Sequence, residues 1–259
     1  MPANWLILAS GGLVSGILAG LLGIGGGTVL VPLLVALTYS PVQAVATSSL
    51  AILITSISGT VQNWRMGYFN AKQVLYLGFP ALATAQIGVY LASRIPPYTL
   101  LAAFGLLLWL NIYLVDLRKR LVAKAGNATQ TQINPLVARL GTGGAAGILA
   151  GLFGVGGGVI MVPLQILLLG ENIKTAIQTS LGVIVITAVS ACVGHTLAGN
   201  VLPTEGLILG MGGLIGAQIS TRFLPKLPDV IVSLIFRSFL GLLSLYIFWQ
   251  AWQSYQSLS

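Results

Sequence analysis

Two stretches of the sequence share one glycine-rich pattern that ends in proline: GLLGIGGGTVLVP at residues 20–32 and GLFGVGGGVIMVP at residues 151–163. Consecutive glycines disfavour a helix, while the apolar run that follows them favours the start of a new one. The pattern therefore predicts a helix, a glycine turn and a second helix, twice in the same chain.

The composition around these stretches is that of a membrane protein. Of the 259 residues, 56% are hydrophobic and 6% are charged, whereas about a quarter are charged in an ordinary soluble domain. We therefore predict an all-α polytopic membrane protein that lies in a lipid bilayer. Its ten apolar segments are residues 4–22, 25–39, 42–63, 71–93, 98–117, 138–153, 156–170, 173–197, 204–222 and 229–252.

The basic residues indicate how these segments are oriented, because short cytoplasmic loops are enriched in lysine and arginine. With the polar stretch after segment five on the cytoplasmic side, ten of the twelve basic residues fall inside, Arg94 falls outside and Arg237 lies within segment ten. The net charge of +8 thus reflects topology, and no nucleic acid is expected as a partner. Both termini are predicted on the outer face, with the central basic loop in the cytoplasm.

The chain is predicted to contain two transmembrane repeats, residues 1–117 and 138–259, joined by a basic cytoplasmic linker at residues 118–137. At a spacing of 131 residues, the glycines of the first two segments and the proline after them coincide. Five segments per repeat is an odd number, so the two repeats have opposite orientations. Inverted repeats are a common plan among secondary transporters.

The same alignment pairs polar residues of the two repeats. The pairs are Ser48 with Thr179, Ser49 with Ser180, Trp64 with His195 and, after one inserted residue, Gln86 with Gln218.

Glycines also recur four residues apart in the first segment of each repeat. Such spacing lets a neighbouring backbone approach closely and predicts tight helix packing. The glycines are Gly12, Gly16 and Gly20 in the first repeat and Gly143, Gly147 and Gly151 in the second.

Two interpretations of the glycine runs are open. The apolar part of segment six, Arg139–Phe153, has 15 residues, or only about 22 Å of helix, whereas the hydrocarbon core is about 30 Å thick. Segments 1–2 and 6–7 are then re-entrant hairpins whose tips lie near the midplane. Alternatively, each run is a tight turn at a membrane surface.

The candidate ligands for a small anion are neutral hydrogen-bond donors, because free N–H groups at a helix N-terminus attract anions and neutral donors allow release. The substrate-binding candidates are Gly25, Gly26, Gly27, Ser48, Ser49, Gln86, Gly156, Gly157, Gly158, Thr179, Ser180 and Gln218. For the hydroxyls, hydrogen bonds to their own helix are an equal alternative. For the glutamines, the choice is between a wet cavity and a partner in a neighbouring helix.

Two other polar residues carry weaker hypotheses. His195 is interpreted as a hydrogen-bonded group near the interface or, less favourably, as a proton shuttle. Arg237 lies within segment ten and needs a partner, water or a route to the interface. It is interpreted as snorkelling toward the cytoplasmic face, near Asp229 two turns earlier. The alternative for Arg237 is an inner vestibule that attracts anions.

An enzyme is disfavoured, because one histidine, one cysteine and four dispersed acidic residues do not assemble a catalytic group. The glycine runs also lack the spacing of dinucleotide and P-loop phosphate motifs. No cofactor or metal is expected. A passive anion channel of the same architecture remains the alternative to a carrier.

The paired G-[IV]-GGG-x₃-VP motifs, with a Thr-Ser pair in the next helix, resemble the TauE/SafE sulfite exporter family over nearly the whole chain. The resemblance implies transport of a small sulfur-containing anion, such as sulfite, thiosulfate or an organosulfonate, across the bacterial inner membrane. It specifies neither the anion nor the direction of transport, and oligomeric state is not predicted.

Overall fold

A computed structural model describes residues 4–125 and 134–256. Within these ranges the chain is helical and contains no strand. The helices are α1 (Asn4–Leu22), α2 (Gly27–Ala36), α3 (Pro41–Arg65), α4 (Ala71–Ala92), α5 (Pro97–Ala125), α6 (Pro135–Phe153), α7 (Gly158–Leu168), α8 (Ile173–Leu197), α9 (Pro203–Phe223) and α10 (Asp229–Gln256), with a 3₁₀ turn at Leu224–Lys226.

Seven of these helices are long and apolar enough to cross a bilayer: α1, α3, α4, α6, α8, α9 and α10. Helices α2 and α7 have only ten and eleven residues, whereas a span needs about 20. The apolar stretch Tyr98–Tyr113 of α5 is also shorter than a span. The protein is therefore a multi-pass helical membrane protein with two short helices that each follow a glycine turn.

Helix α6 is longer than the hydropathy pattern indicated. It begins at Pro135 and has 19 residues, as many as α1. The Asn134 side chain accepts a hydrogen bond from the N–H of Leu136 at 2.9 Å, and proline suits the first helical position because no N–H is needed there. Helices α2 and α7 are therefore too short to cross the hydrocarbon core. The expectation that segment six is also too short was wrong, because α6 has 19 residues.

The region between the halves is partly helical. Helix α5 continues to Ala125 and α6 begins at Pro135, so both ends of the linker expected at residues 118–137 belong to helices. Residues 126–133 of that linker lie outside the described residues.

Helix α2 folds back along α1. A Cβ atom at Gly11 would overlap the Leu33 side chain, and the Ser15 hydroxyl donates to the Gly26 carbonyl at 2.9 Å. In the second half α7 packs on α6, where a Cβ at Gly157 would overlap the Ala146 carbonyl. Each glycine turn therefore reverses the direction of the chain.

The two halves of the chain exchange their fourth helices. Helix α9 packs mainly against α1 and α3, whereas α4 packs mainly against α6 and α8. The glycine stripes form the closest of these contacts: a Cβ at Gly16 would overlap the Gly213 carbonyl, and one at Gly147 would overlap the Ala81 carbonyl. The predicted tight packing of these glycines is confirmed, and their partner lies in the other half of the chain.

The repeat spacing increases by one residue between α7 and α8. Helices α1 and α6 begin 131 residues apart, whereas α3 and α8 begin 132 apart, because α7 has one residue more than α2. The earlier alignment in this region was therefore wrong by one position. Ser48 corresponds to Ser180, and the counterpart of His195 is Asn63 rather than Trp64.

Helices α3 and α8 pack together at the centre of the bundle. Gly59, in the C-terminal half of α3, contacts Leu181, in the N-terminal half of α8. The two helices therefore run in opposite directions. Ile52 and Ile184, at equivalent positions near their middles, are fully buried.

Candidate functional site

The two glycine turns adopt the same backbone conformation. Each contains three glycines with positive φ, a region that other residues rarely adopt. The φ angles are 66° at Gly23, 73° at Gly25, 84° at Gly26, 61° at Gly154, 73° at Gly156 and 77° at Gly157. The repeated sequence thus encodes a repeated local geometry.

The two turns lie against each other between α3 and α8. Gly27 faces the Gly154 carbonyl and Gly158 faces the Gly23 carbonyl, each so closely that a Cβ would overlap the oxygen. Gly25 contacts both Ile52 and Ile184, which lie within 3.3 Å of where its Cβ would be. The start of α2 and the start of α7 therefore meet at the buried centre of the molecule.

Two serines hold the turns from opposite sides. Ser48 Oγ lies 2.8 Å from the carbonyl oxygen of Gly154, and Ser180 Oγ lies 2.8 Å from that of Gly23. Each hydroxyl also lies 2.8 Å from a carbonyl of its own helix. Because a hydroxyl has one proton, the two acceptors share it. The structure thus brings both serines to the turns, where they bond to the protein.

The N–H groups of the turns have no such partners. Within the described parts of the chain, no acceptor binds the N–H groups of residues 25–27 or 156–158. Orphan N–H groups at a helix start are usually capped by a side-chain oxygen, but the caps here are Gly26 and Gly157, which have none. Two helix N-termini, each with a positive dipole end, therefore present free donors at one buried place.

The other hydroxyls predicted at this site differ in their surroundings. Ser49 Oγ bonds to the Val45 carbonyl of its own helix at 3.0 Å, as the structural alternative predicts. Thr179 is buried in α8, immediately before Ser180. Neither hydroxyl bonds to a glycine turn within the described residues.

The two glutamines connect the exchanged helices. Gln86 Nε2 donates to the Ser190 carbonyl at 2.7 Å and to the Ser190 hydroxyl at 2.8 Å. Gln218 Nε2 donates to Gln62 Oε1 at 2.7 Å, and its Oε1 accepts from Ser58 at 3.1 Å. Their partners lie on α8 and α3, in neighbouring helices, and the structure gives them no hydrogen bond to the turns.

Three buried polar residues were missed or misassigned from the sequence. His195 is 1% exposed and its Nε2 lies 3.0 Å from the Gly151 carbonyl, so the expected interfacial group is a buried one. Asn63, its counterpart, is also 1% exposed, and neither amide atom has a partner among the described residues. Thr28, directly after the first glycine run, is completely buried, and its hydroxyl has no partner in the part of the chain that the structure describes. A repeat alignment with the correct spacing would have paired Asn63 with His195.

Asp229 forms an ion pair at the start of α10. Asp229, near which Arg237 was expected to lie, pairs with Lys174 at 3.3 Å. Lys174 also donates to the Pro225 carbonyl. This contact joins the start of α8 to the start of α10.

Equivalent contacts occur at the two ends of the bundle. The Tyr39 hydroxyl donates to Glu205 at 3.3 Å, and Gln73 Nε2 donates to Glu171 at 2.9 Å. Positions 39 and 171, like positions 73 and 205, are 132 residues apart. The pKa of Tyr39 is raised, first by burial and then by the charge and hydrogen bond of Glu205. Tyr39 therefore keeps its proton and remains the donor. We call these two contacts the end clasps.

Comparison with known proteins places the chain among membrane transporters. The sulfite exporter TauE/SafE family model matches residues 8–247. The probable membrane transporter protein YunE of Bacillus subtilis is 28% identical over 261 residues, which cover 90% of this chain and 94% of YunE. The probable membrane transporter protein MJ0441 of Methanocaldococcus jannaschii is 26% identical, with 91% and 92% covered. The probable membrane transporter protein y4hK of Sinorhizobium fredii is 31% identical, with 72% and 76% covered. No solved structure matches.

Proposed function

Because the chain belongs to the sulfite exporter TauE/SafE family, we propose that it transports a small sulfur-containing anion across the bacterial inner membrane. Sulfite, thiosulfate and organosulfonates are the candidate substrates. The observation that carries the proposal is the meeting of two helix N-termini whose buried glycine N–H groups have no acceptor within residues 4–125 and 134–256. Unpaired buried donors are costly, and an anion is the ligand that satisfies them.

The neutral character of these donors suits a transported ligand. An anion held by amide N–H groups gains strength from the low dielectric of the interior and from two helix dipoles. Binding must also be weak enough for release, and amide donors meet that need better than a buried arginine clamp. The turns in this protein combine both properties.

We place the turns near the bilayer midplane, as the tips of hairpins that enter from opposite faces. Helix α3 has 25 residues, or about 37 Å at 1.5 Å per residue, and Ile52 is its twelfth residue. The turns pack on Ile52 and on Ile184, the twelfth residue of α8. If α3 and α8 span the membrane, the turns lie halfway through it.

The orientation that we propose follows the positive-inside rule. Helices α4, α6 and α8 begin at one end of the bundle, and α5 ends there. The cations Arg65, Lys72, Arg139 and Lys174 lie at that end, which we assign to the cytoplasm. Both chain termini then lie on the outer side.

Alternating access is the mechanism that this arrangement favours over an open channel. The turns meet in close contact, with Ile52 and Ile184 packed on both of them, so the centre is closed in the described structure. Two halves with opposite orientation can open toward either side by equivalent movements. The membrane potential supplies about 2.3 kcal/mol per charge at 100 mV for the export of an anion, so uniport is energetically sufficient.

The first experiment measures ligand binding. The purified protein in detergent is heated with sulfite, sulfate, thiosulfate, an organosulfonate, sulfide or chloride at matched ionic strength. Because a ligand that binds only the folded state raises the melting temperature, we expect a selective rise with one sulfur oxyanion. No rise with any of them would remove the basis for an anion site at the turns.

The second experiment measures flux of the stabilising anion in proteoliposomes. We expect saturable flux that follows an imposed voltage and ignores a pH gradient. Ohmic current without saturation would indicate the passive channel, and flux driven by a pH gradient would show that uniport is wrong.

A further inference from the structure

Thr28 is an unusual polar residue at the start of α2. It follows Gly27 directly, and its side chain is 0% exposed. Its hydroxyl has no hydrogen-bond partner among the described residues. Leaving a buried hydroxyl unsatisfied costs about 1–3 kcal/mol, so its position requires an explanation.

Other buried hydroxyls near the turns avoid this cost by bonding to their own helix. Ser49 bonds to the Val45 carbonyl at 3.0 Å, and Thr55 bonds to the Ala51 carbonyl at 2.9 Å. This local solution is the usual one for serine and threonine in apolar helices. Thr28 does not adopt it.

The side chain of Thr28 lies in the first turn of α2, directly after the glycine turn. In an α-helix each Cα–Cβ bond tilts toward the N-terminus, so a side chain in the first turn leans over the residues before it. Those residues, Gly25 to Gly27, have the unpaired N–H groups. One hydroxyl and several N–H donors are therefore unsatisfied within a single turn of the chain.

We propose that the hydroxyl of Thr28 is a direct ligand of the transported anion. This inference rests on the proposed function and adds the one side chain that completes the backbone donor set. A hydroxyl beside several N–H groups suits an anion with more than one oxygen, which distinguishes an oxyanion from a halide.

The proposal also makes the two turns unequal. The counterpart of Thr28 in α7 is Val159, which is equally buried and has no hydroxyl. The first turn therefore contributes a side-chain donor and the second contributes backbone donors only. The anion binds more tightly to the first turn.

The test uses variants that change the hydroxyl with little change in shape. Thr28→Val removes it, Thr28→Ser keeps it, and Thr142→Val is the matched control. Thr142 lies in α6 and is 0% exposed, and its hydroxyl has no partner among the described residues, but it is twelve residues before Gly154, where the second turn begins. For each variant, the melting temperature without anion and the Kd for the stabilising oxyanion are measured.

We expect Thr28→Val to raise the melting temperature without anion, because an unsatisfied hydroxyl is removed, and to weaken oxyanion binding about tenfold or more. Thr28→Ser should keep the affinity within about threefold, and Thr142→Val should raise the melting temperature without changing affinity. A merely structural threonine does not produce these opposite effects on stability and binding.

Three results would overturn the proposal. The first is that Thr28→Val binds the anion as tightly as wild type, and the second is that Thr142→Val weakens binding as much as Thr28→Val does. If wild-type protein binds no anion from the panel, the proposed function fails and this inference fails with it. If wild type binds and Thr28→Val binds equally well, only the role of Thr28 is wrong.

Discussion

At the scale of single residues, glycine is required in the turns for two separate reasons. Gly26 and Gly157 have positive φ, and a Cβ at either position would also overlap a neighbour in the preceding helix. A non-glycine residue in the left-handed region costs about 1–2 kcal/mol from backbone strain alone. The overlap adds to that cost.

Replacement of these glycines should therefore affect binding as well as stability. We expect Gly26→Ala and Gly157→Ala each to lower the melting temperature and to weaken anion binding, because the turn must shift. Gly67→Ala is the control, since Gly67 has a φ of 79° and nothing within 4 Å of its Cβ position. The comparison uses detergent-solubilised protein and the anion panel. Equal effects in all three variants would show that backbone strain alone explains the requirement.

The serines that hold the turns should contribute to stability symmetrically. Ser48→Ala and Ser180→Ala each remove the donor to a turn carbonyl of the opposite half, at a cost of about 1–3 kcal/mol in unfolding free energy. Ser49→Ala, which removes only a bond to its own helix, should cost less. Melting temperatures of the three variants check this. A larger loss for Ser49→Ala would contradict the role assigned to the pair.

At the scale of helices, the contact between exchanged elements depends on the absence of side chains. Gly12 and Gly16 of α1 face the backbone of α9, and Gly212 and Gly216 of α9 face that of α1. Association of helices in lipid relies on such close packing, because lipid and side chains are equally apolar. The packing of α9 on α1 and α3, and of α4 on α6 and α8, is therefore stabilised mainly by close backbone packing and by the hydrogen bonds of Gln86 and Gln218.

Added volume at this contact should be destabilising. We expect Gly16→Ala to cost about 1–3 kcal/mol, because its Cβ would overlap the backbone of Gly213. Gly141→Ala in α6 is the matched control, since a Cβ there has nothing within 4 Å, and it should stabilise by about 0.5–1 kcal/mol. Thermal unfolding in detergent measures both. Similar melting temperatures for the two variants would argue against close packing of α1 on α9.

At the scale of the whole molecule, one end clasp lies at each end of the bundle, where it would control access from that side in the proposed carrier. Tyr39 and Glu205 join the loop before α3 to the start of α9, and Glu171 and Gln73 join the loop before α8 to the start of α4. Because α3 and α8 run in opposite directions, the two clasps lie at opposite ends. In the described structure both are closed.

Breaking one clasp should therefore open one side of a carrier. We expect Tyr39→Phe to expose the centre to the outer solution and Gln73→Leu to expose it to the cytoplasmic one. Access to the centre is measured with the substitution Ile52→Cys. The background carries Cys192→Ser, which removes the sole native cysteine. The labelling rate at position 52 with a membrane-impermeant thiol reagent is measured in right-side-out and inside-out vesicles. Faster labelling from the same side in both variants would contradict alternating access.

Much of the architecture was predictable because it depends on local sequence. The apolar composition predicts helices, since backbone groups in lipid must be paired within the chain. The duplicated glycine run predicts two turns, since φ is a property of one residue and its neighbours. The resemblance to the sulfite exporter TauE/SafE family was predicted from the same glycine motifs and is confirmed. The error in repeat spacing arose because the extra residue is absorbed within α7 and leaves no gap in the hydropathy pattern.

The sequence alone therefore determined the helical membrane class, the two glycine turns and the family. Only the tertiary structure decided which helices are partners, that Ser48 and Ser180 bond to the opposite turn, and that the Thr28 hydroxyl has no partner among the described residues. The physical reason is that backbone preference is carried by adjacent residues, whereas partner choice depends on residues far apart in the chain. In lipid, where every helix face is apolar, hydropathy does not distinguish one partner from another.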